Sequence, residues 1–428
     1  MAPRHDARPR GAVLAPLVLV ALVGASCKTS SQKEHPSPGA SSTRALSTVT
    51  PAGLAPSGDP LHGKTLLAEY QCNRCHTGAA MEAPPQNKQC VQCHTDIVEG
   101  RFNASAALLV RWKPIVADLT DAPSLEAMGK RFRRGWVEQY LQRPYDVRPN
   151  LSPSMPRLPI SPSQAKDIAA YLVPEENGTL EARAEGDLEK GRKVLESKGC
   201  IACHAMSGVP GLQASPLPVA LEPKEFARAR RLAPDLRHTR MRSTPAQTVA
   251  WLREPRALKS DASMPKIPLS EEEIRDVVAF LHNREFETTP APAAVVRLPL
   301  LSRKVTFAEV DKKVFHRTCW HCHSEPDYAI GDGGPGNSGG FGFKPRGLNL
   351  SDYNGIAAGY IDDKGVRASV FAAGADGVPR MVAALLARHT EEGGAETGGV
   401  RGMPLGYAPV ALEDIQLVDT WIAQGRPR

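Results

Sequence analysis

The stretch Gln71–His94, QCNRCHTGAAMEAPPQNKQCVQCH, carries the pattern Cys-x-x-Cys-His twice, once from Cys72 and again from Cys90. The pattern returns singly at Cys200–His204 and at Cys319–His323. Eight of the nine cysteines fall into these pairs, Cys72/Cys75, Cys90/Cys93, Cys200/Cys203 and Cys319/Cys322, and only Cys27 stands apart. In an exported chain, paired cysteines are by default disulfides. A disulfide framework gives no reason for a histidine to follow every pair, at His76, His94, His204 and His323. The first two pairs also have the spacing of a zinc ribbon, but the other two have no second pair nearby.

The pattern is the attachment signature of c-type haem, in which two thiols add to the porphyrin vinyl groups and the next histidine ligates the iron. Chance supplies on the order of 0.01 such matches in a chain of this composition. Four matches that use every available pair therefore predict four covalently attached haems c. An iron that only carries electrons needs a sixth ligand, and methionine opposite histidine is the pairing that raises the potential. Met155, Met264 and Met403 each stand in a Met-Pro step ahead of a helical pattern, well downstream of His76, His204 and His323 respectively. Core packing is the ordinary use of a methionine; its recurrence at equivalent positions predicts ligation.

The sequence repeats itself around these motifs. Ser154–Leu172, SMPRLPISPSQAKDIAAYL, matches Ser263–Leu281, SMPKIPLSEEEIRDVVAFL, at an offset of 109. APSL at 122–125 matches APDL at 233–236 at an offset of 111, and Gly63, Leu67 and Cys72 match Gly191, Leu195 and Cys200 at 128. The fall from 128 to 111 means that the first copy is the longer one just after its first motif, and Cys90–His94 lies in that extra length. The second site reads as an insertion into one repeat and not as a further domain. Ser161 with Gln164, and Ser270 with Glu273, predict capping boxes that open amphipathic helices. A third version of the ending, GMPLGYAPVALEDIQLVDTWIAQG, occupies Gly402–Gly425.

With these residues in place, the chain resembles class I cytochrome c domains over residues 59–174, 185–284 and 305–426. The resemblance implies an all-α fold of three tandem domains: a dihaem domain at 59–174 and monohaem domains at 185–284 and 305–428, with a linker at 285–304. It also implies close contact between the glycine of each first helix and the aromatic residue of each last, Gly63 with Tyr171 and Gly191 with Phe280. The haem at Cys90 and Cys93 departs from the family, because no Met-Pro step remains for it. Candidates for its sixth ligand are His62 first, then Met81, Met128, His316 and His389. His321, inside Cys-Trp-His-Cys-His, reads as a solvated neighbour, since His323 takes the proximal place.

Residues 1–26 read as an export signal, with Arg4, Arg8 and Arg10 ahead of a short apolar run. The run ends on VGASC, which resembles a bacterial lipoprotein signal with Cys27 as the lipidated residue and Gly24 where a larger aliphatic is usual. Residues 28–58, rich in Ser, Pro, Ala and Gly, read as a flexible tether. Proline at 38 of 428 residues and aromatics at 5% point to several small cores with extended connections. GDGGPGNSGGFGF at 331–343 lacks a phosphate-loop lysine and reads as a long loop near the last haem. The net charge of +7 would be offset by the propionates of four haems, roughly eight negative charges. No basic stripe interleaved with aromatics suggests nucleic acid.

The functional expectation is electron transfer in the bacterial cell envelope, by an outer-membrane lipoprotein facing the periplasm and exchanging electrons with other redox proteins. Two other classes use an open sixth position at the Cys90/Cys93 haem. One is a haem enzyme such as a peroxidase, for which no accompanying acid and base can be placed; the other is a haem-based sensor, for which no output domain follows.

Overall fold

The computed structural model describes residues 58–145, 147–151, 155–175, 183–287, 294–326, 334–393 and 395–428. The expected export signal, Cys27 and the tether up to residue 57 lie outside the described residues. Among the described residues the chain is helical apart from one two-stranded antiparallel ribbon, as the all-α expectation requires. None of these helices is long and apolar enough to cross a membrane.

The first segment contains α1 (Pro60–Glu69), α2 (Cys90–Glu99), α3 (Ala106–Val116), α4 (Arg134–Gln142) and α5 (Pro162–Leu172). The second contains α6 (Leu188–Ser197), α7 (Pro223–Leu232), α8 (Thr239–Arg242), α9 (Pro245–Arg253), α10 (Pro255–Leu258) and α11 (Glu271–Asn283). The third contains α12 (Phe307–Val310), a π-helical turn at Asp311–Phe315, α13 (Tyr353–Ala358), the ribbon β1 (Tyr360–Ile361) and β2 (Arg367–Ala368), α14 (Arg380–Glu392) and α15 (Leu412–Ala423).

Local chemistry sets the helix starts. Both capping boxes read from the sequence are formed. The Ser161 hydroxyl accepts from Gln164 N–H while the Gln164 side chain accepts from Ser161 N–H, and Ser270 and Glu273 repeat the exchange. Asp59 and Asp187 cap α1 and α6, each accepting two N–H groups of the first turn that have no partner inside the helix.

The framing helices of the first two segments cross at glycines. A Cβ on Gly63 would lie 2.0 Å from the Asp167 carbonyl oxygen, and one on Gly191 would lie 2.1 Å from that of Asp276. Only a residue without a side chain lets α1 meet α5, and α6 meet α11, this closely. Asp59 N–H donates to Asp167 and Asp187 N–H to Asp276, each at 2.8 Å, so one polar latch occurs twice. The close approach expected of Gly191 includes the Phe280 Cβ; at Gly63 the nearest atoms belong to Asp167 and Ile168, and the Tyr171 hydroxyl donates to Ala79 O. In the third segment a fully buried Trp421 takes the central place, ringed by Phe307, Phe315, Tyr353 and Phe371 at 5.7 to 6.1 Å between ring centres.

Each segment has its own apolar cluster, around Leu66, Leu67 and Ile168, around Leu195, Val277 and Phe280, and around Phe315, Val418 and Trp421. These clusters are not beads held apart by linkers, because all described residues belong to one compact unit. Asp121 pairs with Arg228 and Arg231 of α7, and Gln247 donates to Gly129 O, joining the first segment to the second. Arg157 donates to Glu391 O, joining the first to the third. The described end of the linker is bound down: Arg297 forms a two-pronged ion pair with buried Asp419 at 2.6 and 2.8 Å, and Leu301 N–H donates to Thr420.

Candidate haem centres

Three of the four motifs fold alike. Cys72–Arg74, Cys200–Ala202 and Cys319–His321 form 3₁₀ turns, and the N–H of His76, His204 and His323 donates to the carbonyl of the first cysteine at 2.9 to 3.1 Å. Gly199, at φ 70°, and Gln71, at φ 52°, turn the chain into two of these motifs from the left-handed region. The second motif differs, since Cys90, Cys93 and His94 lie in the first turns of α2. In either geometry, residues spaced i, i+3 and i+4 share one face, as two thiols and an imidazole under one porphyrin must.

Hydrogen bonds orient three of the four imidazoles. His76 Nδ1–H donates to Pro123 O at 2.8 Å, His204 Nδ1–H to Pro234 O at 2.9 Å and His94 Nδ1–H to Leu119 O at 3.3 Å. A hydrogen bond at Nδ1 fixes the tautomer and leaves the Nε2 lone pair for a metal. Pro123 and Pro234 belong to the matched APSL and APDL segments, so the repeat also duplicates this support. Burial lowers the pKa of His76 and His204 and takes those of His94 and His323 down to about 4, so all four are neutral, the ligating form, at neutral pH. Gly336 passes directly over the His323 ring, where a Cβ would come within 2.0 Å. The described part of the glycine-rich stretch is thus packed on the last motif.

Cys72, His76 and Met155 of the first segment, and Cys200, His204 and Met264 of the second, line one cavity of about 380 Å³. Its walls are mainly apolar and aromatic, with guanidinium groups from Arg131, Arg148 and Arg242. Arg131 Nε and Arg242 Nε are buried without a hydrogen-bond partner. Arg242 stands over the rings of Phe132 and Trp136, and burial lowers its pKa to about 10. Buried donors in an apolar cavity call for an acceptor, and the propionates of haem would provide it. Trp251 Nε1–H donates to the Met264 sulfur at 3.0 Å, and that sulfur keeps a second lone pair for iron. Met155 packs on the first core, and Met403 packs on the third, as does Cys319.

The second motif faces a different space. A cavity of about 50 Å³ beside Cys93 and His94 is walled by Ile97, Phe102, Trp112 and Val116, and closed from the third segment by Arg317, Trp320, His321 and Tyr407. The Tyr407 hydroxyl donates to His94 Nε2 at 3.2 Å. Burial, followed by the thiols of Cys322, Cys90, Cys75 and Cys93, pushes the Tyr407 pKa well up, so three motifs meet around this phenol. The Cys75 thiol is raised by a hydrogen bond with Cys90 and by burial, which places the first two motifs in contact. No cluster of three or more His, Cys, Asp or Glu side chains fit to hold a metal ion forms among the described residues.

The residues expected as sixth ligand of a haem at Cys90/Cys93 are placed elsewhere. His62 Nδ1–H donates to Asp167 at 2.8 Å, on the half-exposed face between α1 and α5. Met81 packs on the first core and Met128 lines the larger cavity. His316 is held by Asp311 at 2.7 Å, and His389 donates to Val410 O at 2.7 Å. None of these five lines the cavity at His94, whereas His321 does, with its ring centre 6.2 Å from that of His94. The sequence places His321 in solvent because its one clue, an extra histidine within a haem motif, acquires meaning only through the packing of distant segments.

The family model described as Cytochrome c matches residues 188–285, from the start of α6 to just past the end of α11. The match supports a c-type cytochrome, with covalently bound haem c and its iron. The chain is also 28% identical over 124 residues to the Cbb3-type cytochrome c oxidase subunit CcoP of Helicobacter pylori strain ATCC 700392/26695, over 29% of this chain and 36% of that protein. The CcoP subunit of Helicobacter pylori strain 52 is likewise 28% identical over 124 residues, or 35% of its length. The chain thus spans about a third of the curated relatives it matches. No solved structure matches it significantly.

Proposed function

We propose that this chain is an exported electron carrier with four covalent haems c in three cytochrome c-like domains. Its reading as a carrier and not an enzyme rests on one observation above all: His76, Met155, His204 and Met264 line a single cavity with Cys72, Cys200 and Cys203. In this reading the cysteine pairs attach the haems, His76, His94, His204 and His323 are the proximal ligands, and Met155, Met264 and Met403 complete three of the four irons. Each of those three haems then exchanges one electron without opening a site to substrate. Contact between Cys75 and Cys90 favours a relay from the first haem to the second. Lipidation of Cys27 would tether the unit to the outer membrane, facing the periplasm, where it would pass electrons between other redox proteins.

The test is intact mass of the secreted, purified protein, followed by redox titration. Four haem additions are expected, falling by one when either cysteine of a motif is replaced by alanine, together with four one-electron steps and an optical spectrum that peroxide leaves unchanged. Fewer than four additions would sink the tetrahaem reading, and a haem that reacts with peroxide would replace the carrier by an enzyme. An N-terminal peptide carrying acyl chains on Cys27 is expected in the same preparation; a plain cysteine there would remove the anchor.

A further inference from the structure

We infer that His321 is the sixth ligand of the iron held by His94, so that the attachment motif of the fourth haem supplies an axial ligand to the second. The inference rests on the haem reading of the Cys90/Cys93 site given above. Two imidazoles that share one metal ion through bonds of about 2.0–2.1 Å hold their ring centres about 6.3 Å apart. His94 and His321 stand 6.2 Å apart, with their planes at 51°, an angle that rotation about a shared axis permits. The distance for a common ion is therefore built into the fold, between two histidines that lie in the first and third segments of the chain.

Independent contacts hold the two sides in that position. Arg111 of α3 donates to the His316 carbonyl at 2.6 Å, fixing the inserted helix against the stretch that leads into His321. The walls between the rings are apolar, with the Arg317 guanidinium among them; that combination suits a porphyrin with an acidic edge. Tyr407 is the rival for the position. Its hydroxyl lies 3.2 Å from His94 Nε2, a hydrogen-bond distance, whereas oxygen and nitrogen on opposite sides of one ion stand about 4 Å apart. The phenol is thus too close to His94 to sit across an ion from it, and would have to swing aside for a haem to be held there.

Two consequences follow for the haems. The second haem is ligated by two histidines, and its potential lies below those of the three His/Met haems. Its iron is also bonded to the residue next to Cys322, which attaches the fourth haem, so electrons have a short covalent route between the first and third segments.

The experiment is low-temperature electron paramagnetic resonance on oxidised full-length protein whose haem number has been checked by mass. Four low-spin haems are expected in the wild type. His321→Ala, with four haems still attached, should turn one haem high-spin, and added imidazole should restore it. His62→Ala and Tyr407→Phe should leave all four low-spin. Four unchanged low-spin haems in His321→Ala, or a high-spin haem in Tyr407→Phe, would overturn the assignment. His321→Met keeps a ligating atom inside the motif and covers the case in which alanine impairs attachment. It should raise the lowest of the four potentials and leave the other three in place, and an unmoved lowest potential would equally overturn the assignment. A wild-type protein with fewer than four haems would instead refute the tetrahaem reading on which the assignment rests.

Discussion

Met264 has its sulfur within reach of the Trp251 indole N–H at 3.0 Å, and a donor to a ligating sulfur draws electron density from the iron. That favours the ferrous state and raises the potential, so Trp251→Phe should lower the midpoint of one haem by about 1 kcal/mol of redox free energy or less. Redox titration of the variant checks this, and an unchanged set of midpoints would argue against Met264 as a ligand.

His282 makes a separate point about pH. The Thr248 hydroxyl donates to Thr244 O at 3.0 Å, so its oxygen accepts Nε2–H of His282 at 2.9 Å, while His282 Nδ1 is buried without a partner. A proton added at Nδ1 would meet no acceptor and would face Arg133 and Arg240; burial first, and then these cations, lower the pKa to about 4. The unfolded chain takes up this proton near the ordinary histidine value of about 6.5, and the folded chain does so only near 4. Stability is therefore complete above about pH 6.5 and is lost as pH falls toward 4, by up to about 3 kcal/mol. Denaturant unfolding across that window should be flatter for His282→Gln than for the parent.

At the scale of elements, the crossings at Gly63 and Gly191 carry the first two segments. A methyl group at either position meets a backbone carbonyl that cannot move aside. Gly63→Ala and Gly191→Ala should each cost about 1–3 kcal/mol, the usual range for an overpacked contact, and should lower the thermal midpoint. Ser270→Ala removes one half of a formed capping box and should cost about 1 kcal/mol.

Much of this level is legible in the sequence, because local rules act locally. Capping residues and the Cys-x-x-Cys-His turns are read from neighbours a few positions away, and the repeat offset brings Pro123 and Pro234 to the same role. The latches Asp59 to Asp167 and Asp187 to Asp276 follow the same offsets, but a lone aspartate before a helix shows only its cap. The long-range side of the second haem site cannot be read this way. His62, close in sequence to Cys72, is captured by Asp167, and the group that reaches His94 comes from the far end of the chain. The last linker misleads for a related reason: its Pro- and Ala-rich composition hides Arg297, whose partner Asp419 lies in the last helix of the chain.

At the scale of the whole molecule, the tetrahaem proposal makes the seam between the first two segments the place where two haems would be tuned together. Asp121 is the hinge pin of that seam. Its carboxylate is mostly enclosed and receives both Arg228 and Arg231 from α7, next to the cavity that His76 and His204 share. Removing the charge leaves two guanidinium groups facing an amide, and buried or half-buried ionic contacts broken on one side cost about 1–3 kcal/mol. Asp121→Asn should therefore lower stability by that order and let α7 draw back from the first segment. With the shared wall loosened, water would reach two haems at once. In the tetrahaem reading the potentials of the haems proposed at His76 and His204 should shift together, while those proposed at His94, beside Trp320 and Tyr407, and at His323 should stay in place. Redox titration with each haem identified by its cysteine variant would read this directly. Independent shifts, or none, would mean that the two segments carry their haems as separate domains and that the common cavity has no part in tuning them.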